Sequence, residues 1–252
     1  MSVLFNNVYS PKYKPLVSLG RWAETKYPST YQTITTLSEE DYAYLGSIRI
    51  SSFTNTFGAD HYSQNGTRSG CKKLQYIDCS NFDLSECRDA YCSFMWCSSL
   101  TSLDLTMLNV SSIIAIQGMF YSCTGLTSLD LSTWVTSSLT NSRDLFNGCS
   151  NLKVVDMSNF DFSKCSSYNA DYMFYNCNSM QYLILSNPDH FVSMPTSGVS
   201  RLRSSCKILV PSSLLSTYKS ATNWSSRSSY IEAIENYTIT RSNGTVTVTP
   251  NS

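Results

Sequence analysis

The sequence predicts an α/β repeat solenoid, on three observations. Cysteines at 71, 97, 123 and 149 recur every 26 residues, and Cys177 and Cys206 follow at steps of 28 and 29. Each of the first five cysteines opens a line whose apolar positions fall as Leu-x-x-Leu-x-Leu, as in Cys97-Ser-Ser-Leu-Thr-Ser-Leu-Asp-Leu-Thr106. Each return closes on an aromatic three residues before the next cysteine: Phe94, Phe120, Phe146 and Phe174. A fixed period of this size marks stacked units that cannot bury their apolar faces alone and do so against their neighbours.

The end of each line alternates in and out with the side-chain period of a strand. Leu103 and Leu105 therefore point inward and Asp104 outward. The Met or Leu before three of the return aromatics (Met119, Leu145, Met173) suits a short helical or 3₁₀ turn on the back of each coil. About five 26-residue repeats are expected over 71–206, at roughly 4.8 Å per parallel strand.

Residues 1–70 lack the repeat and are tyrosine-rich. They serve as a cap over the open end of the first coil or as an attachment module. Within them, Ser38-Glu-Glu-Asp41 reads as a capped helix start that Gly46 ends, and Ile48-Arg-Ile50 as a strand. Residues 60–70 read as a loop. After the fifth line, Lys207–Val210 is a last strand. Pro211 opens a helix, and the run to Ile234 completes a C-terminal α/β cap over 207–235. Residues 236–252 form a tail: two alternating strands around Asn243-Gly244, the strongest short hairpin signal. An isolated hairpin is marginal, so it pairs either with the solenoid or with a neighbouring subunit by strand addition.

Met-Phe-x-x-Cys-x-x-Leu-x-x-Leu-Asp-Leu-Ser, nearly complete from Met119 to Ser132, resembles the repeat of BspA-like bacterial surface proteins, a leucine-rich-repeat family. The Val-Pro-x-x-Leu-x-x-x-Tyr run from Val210 to Tyr218, with Trp224, resembles the C-terminal end of such domains. The resemblance spans about residues 68–235 and implies a short leucine-rich-repeat coil with a recognition role. It also implies that Cys71, Cys97, Cys123, Cys149 and Cys177 form a buried structural ladder. The sequence departs from leucine-rich repeats where Asn usually follows the strand (here Phe82, Leu108, Trp134, Phe160 and Pro188), and from the family line at Ile184, where Asp belongs.

Charged residues are 14% of the chain and the formal net charge is zero. That argues against a nucleic-acid or anionic-membrane footprint. No apolar run reaches a membrane span. The opening residues lack a basic start, an apolar core and a cleavage site, so they do not read as a signal peptide. Ten cysteines include no C-x-x-C pair, and the histidines are His61 and His190 alone. No metal site, cofactor or catalytic residue is therefore expected. Reduced, stacked cysteines are preferred to disulfides, because parallel side chains hold Cβ atoms too far apart.

The candidate binding face is the outward side of the strands. It carries an Asp series (Asp78, Asp104, Asp130, Asp156), readable as a calcium or sugar-hydroxyl ladder or, preferably, as a structural ladder belonging to the repeat. Beside it, positions that vary between lines are better contacts for a ligand: Tyr76, Ser102, Ser128, Val154 and Tyr182. The function expected is non-enzymatic recognition of a host-surface protein or glycan. The favoured setting is a bacteriophage fibre or decoration protein, made in host cytoplasm and carried on the virion. Other virion proteins or self-association would then engage residues 1–70 and the 237–249 hairpin. The alternative is a secreted or cell-surface bacterial adhesin.

Overall fold

The computed structural model describes residues 14–20, 22–58 and 70–252. The predicted loop over 60–69, with His61, lies outside the described residues, as do the opening residues read for a signal peptide.

The α/β repeat solenoid expected from the sequence is not what the chain forms. It is a mixed α/β fold with a five-stranded parallel sheet and few, short helices. The sheet runs β3 (Ser128–Asp130), β4 (Val154–Asp156), β5 (Tyr182–Ile184), β6 (Lys207–Val210) and β7 (Ile231–Ala233), each strand beside its sequence neighbour. Only the third, fourth and fifth lines supply strands. The other two strands come from beyond Cys206. The lines at 74–79 and 100–105 form no strand.

The hydrogen bonds at the first edge of the sheet give the reason. Lys153 N–H donates to Thr127 O and Leu131 N–H to Asp156 O, so the odd positions of β3 face β4. The N–H of Asp130 points the other way, toward the second line. It donates to Gly244 O at 2.8 Å. Gly244 is the turn of an antiparallel hairpin made by β8 (Tyr237–Ser242) and β9 (Thr245–Pro250). That turn takes the hydrogen bond a second-line strand would have used.

In the returns the Met-Phe and Leu-Phe pairs sit in tight turns closed by i→i−3 backbone bonds, Met119 N–H to Ile116 O at 3.1 Å and Leu145 N–H to Ser142 O at 3.3 Å. Backbone φ is positive at Cys92, Gly118, Asp144 and Tyr172, and again at Trp96, Ser122, Gly148 and Asn176. Two left-handed residues in each return interrupt any helix. What stacks instead is the rings. Phe94 on Phe120, Phe120 on Phe146 and Phe146 on Phe174 are near-parallel at 5.5–6.0 Å between centroids. Backbone bonds tie the same residues, Phe94 N–H to Met119 O at 2.9 Å and Phe120 N–H to Leu145 O at 3.0 Å.

The N-terminal segment continues this packing. Phe57 stacks on Phe94 at 5.6 Å, and Phe57 N–H donates to Ser93 O. β1 (Leu16–Ser18) pairs in parallel with β2 (Arg49–Ser52). Helix α1 (Trp22–Lys26) precedes helix α2 (Glu39–Gly46), which is closed by the expected cap: Ser38 Oγ accepts the Asp41 N–H, and Asp41 accepts the Ser38 N–H. The main cluster of buried apolar side chains runs from Leu19 to Ile231, across residue 70, and a second, smaller one lies under the hairpin. At the other end, α4 (Leu215–Ser220) packs against β7, and α3 (Thr196–Ser200) against the turn at Tyr168–Ala170. Trp224 is fully buried, its indole donating to Val192 O at 3.0 Å, and Tyr218 accepts the Val192 N–H at 2.8 Å. No helix among the described residues is long and apolar enough to cross a membrane.

Candidate functional site

Each aspartate of the outward series does the same local work. Its Oδ1 accepts the N–H two residues on: Ser80 to Asp78 at 2.8 Å, Thr106 to Asp104 at 3.0 Å, Ser132 to Asp130 at 3.0 Å and Ser158 to Asp156 at 3.1 Å. This is the side-chain-closed turn that Asp favours where a chain must leave a strand. The bond from the Ser80 backbone holds the Asp78 carboxyl below its ordinary range. The series ends each line, each carboxylate accepting a backbone N–H there.

The surroundings of the four aspartates then diverge. Asp130 and Asp156 are buried, Asp78 is half-buried and Asp104 exposed. The hairpin makes the difference by lying over the outer face of the sheet. Tyr237 and Val246 bury Val154, Ile184 and Leu209, with Ile239, Val248 and Tyr182 packed around them. Tyr182 meets Tyr237 edge-on at 5.7 Å. Val246 N–H donates to Ser128 Oγ at 3.3 Å. Arg241 Nε donates to Asp156 Oδ2 at 2.9 Å. Burial pushes the Asp156 carboxyl up, and the Arg241 charge opposes that shift. Ser128, Val154, Asp130 and Asp156 are therefore interior contacts of the hairpin, and Tyr182 forms part of its rim. One sequence signal marked this: Ile184 stands where the line calls for Asp, and it is the floor of the hairpin's apolar seat.

The uncovered part of the face lies over the first two lines. There Tyr76, Asp78, Ser80, Ser102, Asp104 and Met107, with Ile77 and Cys79, form a cleft of about 420 Å³ closed on one side by Asn243 of the hairpin turn. Tyr76 is 55% exposed and Met107 76%. Of the predicted contacts, the structure brings together Tyr76, Ser102, Asp78 and Asp104. Met107 and Asn243 were not foreseen. Met107 did carry a signal: the corresponding positions after the other lines are Asn81, Thr133, Asn159 and Asn187, all polar. The cleft offers carboxylates, hydroxyls, one amide, one phenol and a flexible thioether.

Gly244 sets this wall. Its φ is +71°, and a Cβ there would sit 2.3 Å from Leu103 O and 2.4 Å from Asp104 Cα. Gly244→Ala is expected to unseat the turn and lower stability by about 2–4 kcal/mol in urea unfolding, from left-handed strain plus the backbone clash.

All ten cysteines are free and buried. The ladder has a hydrogen-bonding logic: the Cys123 thiol donates to Phe94 O at 3.0 Å, Cys149 to Phe120 O at 2.9 Å and Cys177 to Phe146 O at 3.1 Å. Cysteine thus fills the site as a small apolar group and supplies a weak donor to a buried carbonyl. Among the described residues, no three metal-ligating side chains gather.

Residues 63–187 match the model of a family described as a Mycoplasma protein of unknown function, DUF285. The match covers just under half of the 252-residue chain and includes both lines that form the open cleft. Among curated proteins, none matches the chain.

Proposed function

We propose that the chain is a non-enzymatic recognition module of a surface-exposed protein, akin to the BspA-like repeats its central lines resemble. Its contact surface is the cleft around Tyr76, Ser102 and Met107. One observation carries the reading. The hairpin covers the outward face over the sheet strands and stops at Asn243, leaving an aromatic and a methionine exposed beside hydroxyls and carboxylates. Tyrosine is typical of binding hot spots, and methionine adapts to varied partners. The partner class is a host-surface protein. The virion setting drew on the adhesin-like lines, on opening residues that do not read as a signal peptide and on two flanking segments suited to assembly. The hairpin's apolar side is spent on its own sheet, which weakens only the last of these, and we favour the bacterial surface as the setting.

The test is saturable binding of the labelled chain to intact epithelial cells, before and after protease trimming of the cells. Tyr76→Ala with Met107→Ala is expected to weaken binding about 30-fold or more, in line with a hot-spot loss of at least ~2 kcal/mol, while leaving thermal unfolding unchanged, since both side chains face solvent. Equal binding by variant and parent would remove the cleft from the reading.

A further inference from the structure

A second lined groove lies on the returns and shares no residue with the cleft. Tyr121, Arg143, Asp144, Asn147, Tyr172 and Tyr175 enclose about 260 Å³. We infer that this groove is a sugar-binding site that takes one pyranose ring at the end of a glycan.

The polar groups are held before any ligand arrives. Asp144 and Asn147 are buried, and Asn147 Nδ2 donates to Asp144 Oδ1 at 2.7 Å. Arg143 Nε donates to Asp144 Oδ2 at 3.3 Å. The Arg143 guanidinium lies 4.3 Å from the Tyr168 ring centroid and 5.2 Å from that of Tyr172. Its Nη1 is buried and donates to nothing. A buried donor without an acceptor costs free energy that a ligand oxygen would recover. Asp144 retains lone pairs to accept from a hydroxyl. Arginine, carboxylate and amide around one space can both donate to and accept from the vicinal hydroxyls of a sugar.

The aromatic side is equally built. Tyr172 and Tyr175 stand perpendicular at 5.5 Å, and Tyr175 is 42% exposed. Arg201 sits 4.7 Å over Tyr172 and 3.6 Å from Asp171, fixing the far face of that ring. Such a ring wall offers an apolar face to the C–H side of a pyranose. The two arginines are each beside an aspartate, so the site is close to neutral, which favours an uncharged sugar over an anionic one.

The test uses the full chain and saturation-transfer NMR with methyl β-galactoside, methyl β-N-acetylglucosaminide and methyl β-glucuronide, with adenosine as a stacking control. Millimolar, saturable binding of a neutral glycoside is expected. Tyr175→Ala should weaken it at least tenfold. Asp144→Asn, which keeps the size of the side chain and an acceptor for Asn147, should also weaken it at least tenfold. The Tyr76/Met107 double variant should bind unchanged, which separates failure here from failure of the cleft. No glycoside binding by the parent, stronger binding of the glucuronide or of adenosine, or full binding by Tyr175→Ala would each overturn the assignment.

Discussion

Raising the pH through 10 is expected to unfold the chain in one steep transition. Burial pushes the thiols of Cys71, Cys149 and Cys206 up to about 12, and those of Cys97, Cys123 and Cys177 well above their ordinary 9.0. A raised folded value means the native state keeps its proton where the unfolded chain has lost it. Stability is therefore intact below pH 9 and falls as pH rises above it. Each such thiol costs about 1.4 kcal/mol per pH unit. The five ladder cysteines together cost about 7 kcal/mol per unit, against a total stability of roughly 5–15 kcal/mol. The midpoint belongs at about pH 10–11. Circular dichroism against pH, under reductant, measures it. Cys123→Ala with Cys149→Ala will be less stable at pH 7, since both lose a hydrogen bond and volume, but its stability should fall less steeply above pH 9, by about 3 kcal/mol per unit. An unchanged slope would show that the ladder thiols do not drive the transition.

Ending the chain at Asn236 is expected to turn a discrete species into an associating one. The cut exposes Val154, Ile184 and Leu209 in one strip and frees Asp130 N–H at the edge of the sheet. Burying a side chain of that size contributes about 1.5–3 kcal/mol, so loss of the three lowers stability by about 5 kcal/mol. An open apolar strip beside an unpaired strand edge is a template for another copy. Light scattering should show a mass that rises with concentration for the shortened chain only. Arg241→Ala is the single-residue counterpart. It leaves the Asp156 carboxylate, 0% exposed, without its cation, at a cost of about 3–5 kcal/mol in urea unfolding. If both variants match the parent, the hairpin does not hold the face shut.

The cysteine period located most of the interior. Leu74, Leu100, Leu126, Leu152 and Met180 are all buried, as are the return phenylalanines. The helix cap at Ser38 and the turn at Asn243-Gly244 were also legible, because each rests on local chemistry. The sheet was not. Side-chain alternation reports which way a residue points, not which strand it pairs with, so the lines at 74–79 and 100–105 read like the three that form strands. The outcome was decided by Gly244, more than a hundred residues away from Asp130. The layer at Phe57 escaped notice because residues 59–69 break its spacing to Cys71. For the candidate face, the apolar Val154 read as variation in a ligand surface and Ile184 as a departure from the family line. They are matched to Val246 and Val248, a pairing visible only in three dimensions.

The hairpin's placement also orders events in time. Its own strands lie a few residues apart and close in microseconds. Its seat does not exist until β3, β4 and β5 have assembled, and its anchors reach 85 residues to Asp156 and 118 to Ser128. Contacts that close such long loops form late. Every half-built form of the protein thus shows its whole outward face, and only the finished one is selective about what it leaves on view.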